Sequence, residues 1–269
     1  MSADHLLLIL ALLAYLLGAL HYLLDVVSTR LHVGVVATAA TLAGLALHTS
    51  ALAVRLLRGP GGWSPSESLS VFAWAVVLIY LAAEVRYRNR VLGAFVLPIV
   101  LVAGSAAAAL PDRLAQMAPG LRGPGFLIHV TLAIFGNAAF ALTFVAGTLY
   151  LLQERQLKSR HFGSMRFRLP SLELLDQIGI SSILVGFPLL TLALISGAIW
   201  AEQVRGSFFQ LRLREVWSVV SWVLYAGLLY ARVSAGWRGR KAALLSILGF
   251  CLVLFTFVGL KLFRVVPTL

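Results

Sequence analysis

The chain alternates long apolar stretches with short polar ones. The apolar runs are Leu6 to Val27, Val33 to Val54, Ser68 to Val85, Val91 to Leu110, Phe126 to Leu152, Gly179 to Ala201, Val216 to Val233 and Ala242 to Phe263. A helix rising 1.5 Å per residue needs about 20 such residues to cross a hydrocarbon core of roughly 30 Å. The runs are unbroken, whereas strands of a membrane barrel alternate apolar and polar positions. The pattern therefore predicts an all-α, polytopic membrane protein of about eight transmembrane helices. Gly, Pro and Arg punctuate the runs, as in Arg58-Gly59-Pro60-Gly61-Gly62, Arg86/Arg88/Arg90, Pro119 to Gly125 and Gly236 to Lys241. No run is long enough for two spans and no polar stretch for a soluble domain, so residues 1–269 read as one integral-membrane domain. The apolar start lacks a basic lead and a small-residue cleavage motif, which predicts a retained first helix rather than a signal peptide.

Composition strengthens this reading. Hydrophobic residues make up 60%, charged residues 12%, and mean hydropathy is +0.93, which a water-facing surface cannot carry. The net charge of +12 would suggest nucleic acid in a soluble protein. Here the basic residues lie between apolar runs, so the partner they imply is the lipid bilayer and not nucleic acid. Most of the 22 Lys and Arg fall in loops one, three, five and seven: Arg30; Arg86, Arg88, Arg90; Arg155, Lys158, Arg160, Arg166, Arg168; and Arg232, Arg238, Arg240, Lys241. The positive-inside rule makes these loops cytoplasmic and puts both termini outside. A bacterial cytoplasmic membrane is the expected location. In loop five, Ser171 can cap a short helix whose leucines lie on the membrane surface, or a helical lead-in to the sixth span.

Few residues carry chemistry. Cys251 is single, which excludes a CxxC pair or a disulfide framework. No phosphate-binding loop, Ser/His/Asp set or carboxylate cluster appears, so an enzyme is not expected. Asp25 and Glu84 sit near the cytoplasmic ends of their helices, with Glu84 expected to pair with Arg86 or Arg88. Charge deep in a span, the mark of an ion pathway, is almost missing, which argues against a proton-coupled transporter. His5 and His161 read as interfacial residues, and His21 and His32 flank the first cytoplasmic turn. His48 lies seven residues before Arg55, roughly 10 Å inside the outer end at 1.5 Å per residue. His129 follows Gly125 where the fifth span begins from the same side. Two imidazoles at similar depth suit axial ligation of haem iron, although a histidine within a span is more often hydrogen-bonded to a neighbouring helix.

The stretches from Leu169 to Glu202 and Phe126 to Gln153 resemble the cytochrome c assembly family of haem-handling membrane proteins, whose members include CcsA, CcmC and HemX. LHTSALAVR (Leu47 to Arg55), SESLSVFAW (Ser66 to Trp74) and Gly236 to Leu260 fit the same family. The departures lie in the loop between the sixth and seventh spans. There the family carries Trp-Gly-x-x-Trp-x-Trp-Asp, and this chain reads RGSFFQLRLREVW (Arg205 to Trp217). Gly206, Ser207, Glu215 and Trp217 fit, whereas Arg205, Phe209, Leu211 and Arg212 replace tryptophans and the acid. A family histidine before Arg232 is Ala231 here, and another after the last span is missing.

The resemblance implies haem as cofactor, His129 as the outer family ligand, and a pattern nearest the HemX-like members, in which His48 also occurs. Around them it implies a haem-binding set of Trp200, Arg205, Phe208, Phe209, Arg212 and Trp217. It further implies either other cytochrome c assembly proteins as partners or a scaffold that regulates glutamyl-tRNA reductase through the loop from Gln153 to Gln177. Charge bias yields a first prediction: cysteines placed at Ser164 and Ser207 should label from opposite sides of the membrane. Labelling of both from one side would overturn the topology.

Overall fold

The computed structural model describes residues 2–27, 33–57, 64–110, 123–158, 169–208 and 213–255. Arg30, His32, Arg160, His161, Ser164, Arg166, Arg168, Phe209, Leu211, Arg212 and the tail after 255 lie outside the described residues, as do the side chains of Arg205 and Arg214. The described residues form eight helices and no strand: α1 (Ala3–Val27), α2 (Gly34–Leu57), α3 (Pro65–Tyr87), α4 (Gly93–Ala109), α5 (Pro124–Lys158), α6 (Leu172–Arg205), α7 (Leu213–Val233) and α8 (Arg240–Leu254). Six of them, α1 to α3 and α5 to α7, are long and apolar enough to cross a membrane. α4 is apolar but has 17 residues, and the described part of α8 has 15. The protein is thus all-helical and multi-pass.

Local chemistry sets several helix ends. Ser64 caps α3 with a reciprocal box: its side chain accepts from the Glu67 amide at 3.0 Å, and Glu67 accepts from the Ser64 amide at 2.6 Å. Pro65 follows at the first helical turn, where its missing N–H costs nothing. Arg88 closes α3 in the left-handed conformation, φ 50°. α5 and α6 extend well beyond the apolar runs. Because α6 starts at Leu172 and buries Leu175 and Ile178, the stretch after Ser171 is the lead-in to a span and not a separate surface helix.

The chain divides into two compact units, residues 1–122 with 153–171, and residues 123–152 with 172–269. In the first unit α1 and α2 pack through small residues. A Cβ at Gly18 would lie 2.7 Å from Thr41 Oγ1, and one at Gly44 would lie 2.6 Å from the Tyr15 ring. Lipid tails are as apolar as leucine, so such close backbone approach supplies the attraction that burial supplies in water.

The same unit contains a buried carboxylate. Glu84 is 6% exposed and accepts from Tyr22 at 2.7 Å, Tyr80 at 2.5 Å and Thr38 at 2.5 Å, which joins α1, α2 and α3. Its ion-pair partner is Arg90, with Nε at 3.5 Å, rather than Arg86 or Arg88. The turn at Arg88 brings the chain back over the helix end, while the Arg86 guanidinium lies 5.7 Å from the Tyr87 ring.

In the second unit, Phe140 of α5 stacks on Tyr225 of α7 at 3.6 Å. Arg232 is 6% exposed in its side chain, pairs with Asp176 at 3.0 Å and also donates to the Asp176 carbonyl at 2.9 Å. Asp176 in turn accepts from the Gly239 amide at 3.3 Å, so one ion pair ties α6, α7 and the approach to α8.

The Glu84 cluster carries a prediction for stability. Glu84→Ala removes the acceptor that Tyr22, Thr38 and Tyr80 share. Tyr22 keeps Thr38 at 3.2 Å and Thr38 keeps the Gly34 carbonyl at 3.0 Å, so the main loss falls on the buried Tyr80 hydroxyl and costs about 1–3 kcal/mol. The variant should unfold at lower temperature in detergent, with Glu84→Gln in between. An unchanged midpoint in Glu84→Ala would show that these bonds contribute nothing.

Candidate functional site

The site residues read from sequence fall in both units, and each unit presents its histidine differently. In the first, His48 of α2 is fully buried. Its Nδ1 lies 3.4 Å from the Tyr15 hydroxyl and its Nε2 lies 2.9 Å from Ser70 Oγ. A hydroxyl both donates and accepts, so either neutral tautomer is satisfied. Ser70 also lines a cavity of about 360 Å³ at the end of the unit where α1 and α3 begin, together with Asp4, His5, Arg55 and Ser66. Arg55 pairs with Glu67 at 2.8 Å, so the same glutamate that caps α3 holds α2. His21, by contrast, meets its own helix, with Nδ1 2.8 Å from the Leu17 carbonyl.

In the second unit, His129 stands one turn into α5 and is half-buried. Its Nδ1 donates to the Ala193 carbonyl of α6 at 2.7 Å. A carbonyl only accepts, so the proton is on Nδ1 and the Nε2 lone pair points elsewhere on the ring in the neutral form. Ala193, Gly197 and Trp200 share one face of α6, at helical spacings of four and three. Gly197 makes the approach possible, because a Cβ there would lie 2.6 Å from His129 Nδ1 and 2.7 Å from Cε1. Further along the same face the Trp200 and Phe126 rings meet at 5.3 Å, tilted by 52°. A Cβ at Gly125 would only touch Trp200, at 3.6 Å.

Of the residues expected to line a site, His129 and Trp200 therefore lie along one face of α6, His129 at Ala193 and Gly197 and Trp200 against Phe126 of α5. Trp217 packs edge-on against Phe255 at 5.1 Å. Phe208 is 54% exposed. Sequence reasoning did not single out Phe126, Ala193 or Gly197. Nor did it find Trp222, which donates to Thr191 at 2.9 Å and stacks on Phe187 at 5.6 Å. The only available signal was the spacing of Gly197 and Trp200 on one helix face. Among the described residues no group of three or more His, Cys, Asp or Glu could hold a metal ion.

A multi-pass helical membrane protein with a histidine oriented on the helix face that also carries Trp200 is the class that fold and site define. Sequence comparison then identifies the family. The profile of the cytochrome C assembly protein family matches residues 63–266, and the chain belongs to that family. It is 33% identical to the cytochrome c biogenesis protein CcsA of Synechococcus sp. (strain CC9902), with 73% of each chain covered. It is 31% identical to the CcsA protein of Parasynechococcus marenigrum (strain WH8102), covering 88% of this chain and 86% of that one. The CcsA protein of Prochlorococcus marinus (strain MIT 9515) is 33% identical, over 72% and 70%.

Proposed function

We propose that this protein binds haem beside His129 and handles it during cytochrome c assembly in a bacterial cytoplasmic membrane. The observation that carries this reading is the His129–Ala193 hydrogen bond of 2.7 Å. Metal-ligating histidines almost always donate their second ring N–H to a carbonyl or carboxylate, which fixes ring orientation and raises basicity. The donor chemistry thus fits haem iron, and Phe126 with Trp200 offers an aromatic wall for a flat macrocycle. Bound haem would supply the iron, while the chain's residues hold and orient it.

His48 is proposed as a second imidazole, whose Nε2 would have to exchange Ser70 for iron. Phe208, Phe209 and Trp217 are proposed as further ring contacts, and Arg205 and Arg212 as partners for propionates through charge-assisted hydrogen bonds. The topology proposed from charge bias puts both termini outside, on the side where α5 begins and α6 ends.

The degenerate loop from Arg205 to Trp217 favours a HemX-like member over a complete haem-attachment synthase. It has lost the tryptophans and the acid that the wider family pattern carries. The competing reading is a scaffold that controls glutamyl-tRNA reductase through the segment from Gln153 to Gln177 without binding haem.

An absorption spectrum of the purified protein separates the two. A Soret band is expected, weakened or converted from six- to five-coordinate by His129→Ala or His48→Ala and unchanged by His161→Ala. A haem-free protein that captures the soluble enzyme would overturn the haem reading. Expression in a strain lacking its own haem-attachment synthase should fail to restore covalent cytochrome c. Restoration would show that the altered loop is competent.

A further inference from the structure

The carbonyl of a helical residue points along the axis toward the residue four positions later, which already donates to it. A side chain from another helix can reach that carbonyl only if the later residue does not cover it. Ala193 and Gly197 stand in this relation, and His129 reaches the Ala193 oxygen at 2.7 Å over the place a Gly197 side chain would fill. Gly186 of the same helix admits the Phe140 ring as closely, at 2.7 Å, but of the two only Gly197 faces a ring that donates to a carbonyl. A Cβ at Gly179, on the same helix, would have nothing within 4 Å, and one at Gly125 would gain only ordinary contact with Trp200.

We propose that Gly197 is a positioning residue: it holds the His129 imidazole on the Ala193 carbonyl, and through that bond sets how strongly the ring donates to haem iron. The inference rests on His129 as an iron ligand. The carbonyl draws the Nδ1 proton, which makes Nε2 a stronger donor. A stronger donor stabilises ferric over ferrous iron, so the bond lowers the reduction potential of bound haem. Gly197→Ala puts a methyl group where the ring edge lies, and the ring must swing off the carbonyl. The displaced group is the end of a side chain and not backbone, so the helices need not separate.

The test uses the full chain in detergent, reconstituted with haem b and compared across Gly197→Ala, Gly179→Ala and His129→Ala. Gly197→Ala should weaken haem binding about tenfold, the low end of the 10–100-fold typical when a ligand's outer partner is lost. It should also raise the midpoint potential of the haem that remains. A purely structural role would not move that potential. Gly179→Ala should leave both quantities unchanged. A second arm restores the ligand from solution: in His129→Gly, imidazole should rescue the spectrum at roughly tenfold lower concentration than 1-methylimidazole, which has no N–H for the carbonyl. If Gly197→Ala retains wild-type affinity and potential while His129→Ala loses haem, the positioning role is wrong and the ligand assignment stands. If His129→Ala retains haem, the ligand assignment falls and the positioning role falls with it.

Discussion

Lipid offers no hydrogen-bond partners, so a polar side chain within a span is costly unless it finds one inside the protein, and the buried Tyr225 hydroxyl, which has none among the described residues, is an exception. That constraint organises both units. In the first it gathers Tyr22, Thr38, Tyr80 and Arg90 around Glu84, and Tyr15 and Ser70 around His48. In the second it closes Asp176 on Arg232 and on the Gly239 amide. None of these groups is isolated, and each set joins at least two helices. Polar residues are few in this sequence, but they fix which helices meet. The apolar residues between them would pack against lipid nearly as well as against one another.

Small residues answer the other half of the problem. Gly18 and Gly44 bring α1 within reach of α2, and Gly136 and Gly186 let α5 and α6 approach at backbone level. Close approach is what allows short side chains such as Thr38 and Ser70 to reach partners on a neighbouring helix. The two histidines show how far the outcome depends on local surroundings. His48 is sealed, with a hydroxyl at each ring nitrogen, and taking up iron would require giving one up. His129 is half-buried near a helix start and donates its Nδ1 proton to a backbone carbonyl, on the helix face that also carries Trp200.

The spans were legible because apolar length is a property of the sequence alone: the first seven runs overlie α1 to α7 with ends displaced by a few residues, or by about two turns at α5 and α6. Those two extensions were hidden because Gln153 to Lys158 and Leu172 to Ile178 mix charge with leucine, and only packing decides whether such a stretch stays helical. The partner of Glu84 was misjudged for a geometric reason. Arg86 and Arg88 are nearer in sequence, but the left-handed turn at Arg88 returns Arg90 to the carboxylate instead. His129 was visible as a candidate because a histidine in an apolar run is conspicuous. Gly197 was not, since a glycine in such a run looks the same whether it faces lipid or an imidazole. The pairing of Phe126 with Trp200 depends on how two helices distant in sequence lie together, which periodicity does not encode.

The choice of a backbone carbonyl as the partner of His129 follows from the same constraint. In water-soluble metal sites a carboxylate often takes this role, because it orients the ring and strengthens the donor. Within a membrane a carboxylate brings its own desolvation cost and needs further donors, as the three hydroxyls and the arginine around Glu84 show. A helical carbonyl is already desolvated and already bonded to its own helix, so accepting a second donor adds no unpaired charge. Its drawback is access, since the next turn of the helix lies over it. Removing the side chain from that turn opens the approach, and at Ala193 the residue in that place is Gly197.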